Sequence, residues 1–233
     1  MRSGLRTVRP SQSYQLKLRA VRRSTRDRSS VRHTFKFPNR VQAAVREHVQ
    51  RAVAGVPRAQ FRQEPAYIAA LLTRLAGVAY RGPDGLVTFS ATNVDSVGPG
   101  AAESWSGADL AITAIIEQNG RTLRKAILSQ AKLGGFDQLS RTEQERLIEQ
   151  IRHMRRWTRS PKVMLVYELG GRREPRMASG NGILTGRYFK GLSLPDYFVA
   201  RVLTTLDGDT RSHFVEAVQD SSLRQLQVEA RLK

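Results

Sequence analysis

Two periodicities divide the chain. Val41, Ala44, Val45, Val49, Ala52 and Val53 recur at helical spacing and predict a helix over 40–54, which Gly55 and Pro57 end. A second stripe, Phe61, Ile68, Leu71, Leu72 and Leu75, predicts a helix over about 58–76, closed by the turn Arg81-Gly82-Pro83-Asp84-Gly85. From Leu86 to Val94 the pattern alternates as a strand. The loop 96–106, with Gly98-Pro99-Gly100, leads into two apolar, β-branched runs at 110–117 and 122–129. Asn119-Gly120 separates them, a dipeptide suited to a type I′ turn because both central positions take φ > 0. A third helical stripe, Leu147, Ile148, Ile151, Met154 and Trp157, covers about 141–157. Val163 to Tyr167 is a near-continuous apolar run over Lys162–Glu168, as expected of a strand buried on both faces. A basic loop at 170–182, a helix at 195–205 and a short unassigned remainder follow. This order implies an α/β fold, a mixed sheet with helices packed on it. No internal repeat is visible.

The hairpin has a chemical consequence. A two-residue turn sets Gln118 opposite Arg121, and counting outward sets Asp109 opposite Gln130 and Gly107 opposite Lys132. Opposed residues share a face, with Cα atoms roughly 4.5–5.5 Å apart. Asp109, Gln130 and Lys132 therefore point the same way. The other face carries Leu110, Ile112, Ala114, Ile116, Leu123, Ile127 and Leu133, and is the one expected to be buried.

Composition narrows the chemistry. With no cysteine among 233 residues, disulfides, thiolate metal sites and cysteine nucleophiles are excluded, and any metal takes oxygen or histidine ligands. The four histidines have no metal-ligand spacing, and no Walker or Gly-x-Ser-x-Gly pattern occurs. No apolar run reaches membrane-span length and no secretory signal is evident, so the expectation is a cytoplasmic protein, nucleoid-associated if it binds DNA. The net charge is +19, which favours a polyanionic partner. Residues 1–60 hold fifteen Lys/Arg against Asp27 and Glu47. Residues 1–34 read as a basic flexible arm, in which Tyr14, Leu16 and Leu18 alternate as a short strand would. Arg19, Arg22, Arg23, Arg26, Arg28 and Arg32 are its candidate phosphate contacts. The same acid-poor, Arg/Ser-rich composition also suits a disordered terminus or an organellar transit peptide.

Phosphodiester hydrolysis needs charge stabilisation, an activated water and a supported leaving group, which Mg²⁺ held by a few oxygens supplies. Asp109 is the candidate central ligand. Gln130 offers a side-chain oxygen or orients water, and Lys132 stabilises developing charge. Glu64 lies on the apolar stripe of its helix, so it reads as a second metal ligand. Pro65 beside it supports another reading, that Glu64 marks the helix start. Glu103, six residues before Asp109, is a further ligand candidate or a solvated loop acid. Gln150, on the apolar side of the third helix, is either a supporting polar group or a buried glutamine with backbone partners. Trp105 and Trp157 suit base stacking or packing.

Glu64, Asp109 and Gln130-Ala131-Lys132, in that order, resemble the restriction-endonuclease-like superfamily of PD-(D/E)XK nucleases, and the Mrr-like variant with Gln at the second acidic position is the nearest in pattern. The wider run through Glu103-Ser104-Trp105-Ser106-Gly107-Ala108-Asp109, Gln150-Ile151-Arg152-His153-Met154 and Val163-Met164-Leu165-Val166-Tyr167 is similar to bacterial members, over about residues 60–168. The resemblance implies a restriction-endonuclease-like mixed sheet flanked by helices, organised as a basic arm (1–34), a nuclease domain (35–210) and a C-terminal extension (211–233). It implies a Mg²⁺-dependent nuclease, with Mn²⁺ as substitute, in restriction, defence or repair. Glu64, Asp109, Gln130 and Glu103 would hold the metal and Lys132 would act on the reacting phosphate. The partner would be nucleic acid, DNA before RNA, with a homodimer or a defence subunit as protein partner. A catalytically silent nucleic-acid binder on the same fold is the alternative, since Gln130 replaces a carboxylate.

Overall fold

The computed structural model describes residues 35–92, 106–169, 172–187, 191–204 and 206–233. The arm with its six arginines, Glu103 and Trp105 lie outside the described residues. No helix among the described residues is long and apolar enough to cross a membrane.

Helix α1 (Asn39–Ala54) buries Val41, Val45, Val49 and Ala52, one face at intervals of three to four residues. A 3₁₀ turn at Arg58–Gln60 precedes α2 (Glu64–Leu75). The helix expected over 58–76 thus begins only at Glu64, because Pro65 fixes a helical φ in the first turn and needs no N–H partner there. Two strands, β1 (Gly77–Gly82) and β2 (Gly85–Thr92), form a hairpin around the 81–85 turn. The second hairpin is β3 (Leu110–Gln118) and β4 (Arg121–Lys132). Asn119 (φ 52°) and Gly120 (φ 71°) adopt the left-handed pair a type I′ turn requires. Pairing runs from Gln118↔Arg121 to Leu110↔Ser129, the register expected from the turn.

Helix α3 (Arg141–Met154) opens on a reciprocal cap. The Ser140 hydroxyl accepts from the Glu143 N–H, and the Glu143 carboxylate accepts from the Ser140 N–H at 2.9 Å. Leu147, Ile151 and Met154 form its buried stripe. Strand β5 (Lys162–Leu169) follows, then β6 (Arg172–Ser179), α4 (Gly180–Leu184), β7 (Leu192–Ser193) and α5 (Leu194–Tyr197), which continues as a π-helical turn over Phe198–Val202. The basic stretch expected as a loop over 170–182 is therefore largely strand. Its arginines and Pro175 disguise it, yet the strand beyond β6 pairs only at Arg176 and Met177, so Pro175 lies where a missing N–H costs little. Residues 211–233 contribute α6 (Ser212–Gln219) and β8 (Arg224–Leu232).

Among the described residues eight strands form one mixed sheet in the order β1-β2-β8-β3-β4-β5-β6-β7. Strand β8 lies between β2 and β3, parallel to β3, and β4 runs parallel to β5. Helices cover both faces. One core joins α1, α2 and the 194–203 segment to Ile112, Ile116, Val166 and Val228. The other joins α3 and α6 to Ala111, Ala126, Leu128, Val163 and Leu165. The expectation that only one face of the β3-β4 hairpin is buried is corrected here. Thr113, Leu128 and Gln130 on the face of Asp109 are at most 1% exposed. Helices α3 and α6 supply apolar side chains to that face, so strands in the middle of the sheet lose water on both sides.

Candidate functional site

The site lies where β4 ends and β3 begins. The Asp109 N–H donates to the Ser129 carbonyl at 3.0 Å, so Asp109 bonds the same residue that Leu110 pairs with and the regular ladder ends there. This holds the Asp109 carboxylate beside the following peptide. Its Oδ2 accepts from the Ala131 N–H at 2.9 Å and from the Gln130 side-chain amide, so Asp109 and Gln130 are in direct contact. The Gln130 Nε2 also reaches the Ala131 carbonyl at 3.3 Å. Its Oε1 is buried and has no hydrogen-bond partner among the described residues. An amide oxygen left so carries a desolvation cost that a donor or a cation would relieve.

Lys132, two residues along, makes a different contact. Its ammonium forms an ion pair with Glu64 Oε2 at 2.9 Å, with side chains 10% and 28% exposed. Glu64 sits in the first turn of α2, so the helix-start reading holds for its position, while its carboxylate turns to Lys132. A carboxylate at a helix N-terminus is already favoured by the exposed N–H groups, and the lysine adds to that. The α3 cap is also close to Lys132. The Ser140 hydroxyl and N–H hold the Glu143 carboxyl below its ordinary range, and the Lys132 charge adds to the effect.

Gly107 explains how Asp109 is delivered. With φ at 72°, it turns the chain directly against α3, where an added Cβ would lie 2.5 Å from the Gln150 carbonyl and 2.9 Å from the His153 Cβ. The Ser106 hydroxyl accepts from the Ala108 N–H at 3.1 Å and tightens that bend. The Gln150 Oε1 is a second buried oxygen without a partner among the described residues. Gln150 therefore belongs to the same neighbourhood through its backbone contact with Gly107.

Among the described residues, no three His, Cys, Asp or Glu side chains are grouped as a metal site. The donors of the right kind for a hard cation are the Asp109 carboxylate and the Gln130 Oε1, both oxygen and both at the same strand junction. Glu64 is engaged by Lys132. Two contact pairs, Asp109 with Gln130 and Glu64 with Lys132, thus hang on three consecutive residues of β4.

Charged residues absent from the sequence expectation are buried elsewhere. Lys125 is 1% exposed and donates to the carbonyls of Arg201 (2.9 Å), Asp207 (2.8 Å) and Thr204. Burial pulls its ammonium down to about 7, and the Asp207 carboxylate opposes that shift. Lys162 pairs with Asp207 at 2.9 Å. The signal for Lys125 was present in the sequence: it alternates with Leu123 and Ile127 on the face expected to be buried.

Comparison of the chain with protein families, with curated proteins and with solved structures finds no match.

Proposed function

We propose that the chain is a Mg²⁺-dependent nuclease on a restriction-endonuclease-like fold, acting on nucleic acid and on DNA first. The observation that carries the reading is the junction of β3 and β4: Asp109 meets Gln130 and the Ala131 peptide, and the next residue, Lys132, meets Glu64. The order of elements supports it, since the helix bearing Glu64 precedes the hairpin in a mixed sheet.

In this proposal Asp109 and the free Gln130 oxygen hold the cation, with Glu64 or Glu103 as a further carboxylate. The bound ion would supply charge neutralisation at the phosphoryl oxygens and an acidified water. The protein's own residues do the rest. The Ala131 N–H and the Gln130 amide both fix Asp109 Oδ2 and so hold the carboxylate at the strand junction. Lys132 carries the positive charge that would shift from Glu64 to a phosphoryl oxygen as negative charge develops there. The arginines of the arm would hold the phosphate backbone without reading sequence.

A specific observation favours the rival, a catalytically silent binder: Glu64 is neutralised by Lys132, and the described residues contain no cluster of three metal-binding side chains. Incubating supercoiled plasmid with the purified chain and Mg²⁺ separates the two. Metal-dependent nicking that disappears in both Asp109→Ala and Lys132→Ala is the expected result. Nicking that both variants retain, or DNA binding with no cleavage in Mg²⁺ or Mn²⁺, overturns the enzyme reading.

A further inference from the structure

On the face of the sheet that carries α1 and α2, the strands β5 and β6 and the 194–202 helical segment line an open pocket of about 430 Å³. It is remote in kind from the Asp109 junction. Lys162, one of its walls, alternates with Val163 and so faces as Met164 does, whereas Asp109 faces as Ala111 does, toward α3. The volume is that of a small-molecule site.

Its lining is unbalanced in charge. Among the described residues its lining holds Lys162, Arg187 and Arg201 against one carboxylate, Asp207. That carboxylate is already spent on the Lys162 ammonium at 2.9 Å, a pair with side chains 9% and 13% exposed. Behind the wall, the buried Lys125 amine donates to the carbonyls of residues 201, 204 and 207. The fully buried Tyr197 hydroxyl faces Asp207 and lies in the field of the Arg201 guanidinium. Neither Arg187, which is exposed, nor Arg201, half-buried, forms an ion pair with another described residue. Two guanidiniums lining a pocket whose only acid among the described residues is neutralised are matched by a dianion that accepts several N–H bonds. The apolar part of the lining, Met177 and Leu192, is room for an organic body that inorganic phosphate does not fill.

We infer that this cavity binds a small phosphate monoester, with its phosphoryl group between Arg187 and Arg201. The site is independent of the nuclease proposal, and a catalytically dead Asp109→Ala chain should bind equally well.

Isothermal titration of the full chain with adenosine monophosphate, inorganic phosphate and adenosine tests it. Adenosine monophosphate should bind, adenosine should not, and Arg187→Ala/Arg201→Ala should weaken binding by ~10–100-fold, the loss of charge-assisted hydrogen bonds. Inorganic phosphate binding as tightly as the nucleotide identifies free phosphate as the ligand; weaker binding identifies the ester. Arg187 is exposed and Arg201 half-buried, and the Arg201 carbonyl that Lys125 uses is untouched, so the double variant should keep its unfolding temperature. Arg187→Gln and Arg201→Lys give the same comparison should the double variant unfold. Absence of binding by both phosphate and nucleotide, equal binding of adenosine, or unchanged affinity in the arginine variants overturns the assignment.

Discussion

Substituting Gly107 tests how Asp109 is positioned, because two glycines with nearly the same backbone make a matched pair. Gly107 has φ 72° and Gly120 has φ 71°. An alanine at either pays the left-handed penalty of about 1–2 kcal/mol. At Gly120 the new methyl meets nothing within 4 Å. At Gly107 it meets the Gln150 carbonyl at 2.5 Å and the His153 Cβ at 2.9 Å, so the segment must move off α3. Overpacking of that kind costs a further ~1–3 kcal/mol. Urea unfolding of both variants should therefore show Gly107→Ala less stable than Gly120→Ala by ~1–3 kcal/mol. In a chain of this size that is roughly 2–12 °C of unfolding temperature. Displacing residue 107 also displaces Asp109, so Gly107→Ala should lose plasmid nicking while Gly120→Ala keeps it. Equal destabilisation by the two substitutions would refute the close approach to α3 and with it this account of Asp109.

Two further perturbations address the charges. Replacing Gln130 by Glu sets two carboxylates in contact in a site 1% exposed and removes the amide that Asp109 accepts from. The metal-free variant should lose as much as roughly 3 kcal/mol, and Mg²⁺ should restore its unfolding temperature; an unfolding temperature indifferent to Mg²⁺ would show that these oxygens do not make a cation site. For Lys125, burial lowers the folded pKa to about 7 from an ordinary 10.5. Between those values the unfolded chain binds the proton that the folded chain releases, so stability rises with pH across this window and is lost as pH falls toward 7. Urea titrations from pH 6 to 10 should show that rise in the natural chain relative to Lys125→Met, with a slope of at most ~1.4 kcal/mol per pH unit. Coincident slopes would mean that the three carbonyls keep the ammonium charged throughout.

The hairpin was legible because its information is local. Asn119-Gly120 defines the turn type and the turn defines the register as far as Leu110↔Ser129, and just beyond it the side chains of Asp109 and Gln130 meet. The stripes of α1 and α3 were legible for the same reason. Strand β6 was not, because arginines and Pro175 are tolerated only where neighbouring strands leave a partly free edge, which is a property of the assembled sheet. Strand β8 shows how far a periodic signal goes. Leu226, Val228, Ala230 and Leu232 alternate and are buried, yet nothing in that alternation says that the strand inserts between β2 and β3, far away in sequence. The direction of the Lys132 side chain was hidden for a related reason. Register places its Cα on the face of Gln130, but at the end of a strand a long flexible stem can reach an acid on a helix, and Glu64 is there.

Gln130 acts differently from the carboxylate it replaces in the resemblance. A carboxylate beside Asp109 would repel it, and the pair would need a cation or a shared proton to be stable when buried. The Gln130 amide instead donates to Asp109, as the Ala131 N–H does, so the aspartate is satisfied by the protein alone. The buried Oε1 points to the opposite need, since it accepts nothing among the described residues. A glutamine therefore lets the junction stand without metal, and on the nuclease reading its open acceptor would bind the cation with one negative charge fewer and hence more weakly. Lys132 is paired with Glu64, and on the nuclease reading it would leave that pair for a more negative partner. A phosphodiester with its cation is such a partner, so the nuclease reading predicts that nucleic acid and Mg²⁺ strengthen each other's binding. A silent binder has no reason to show that coupling.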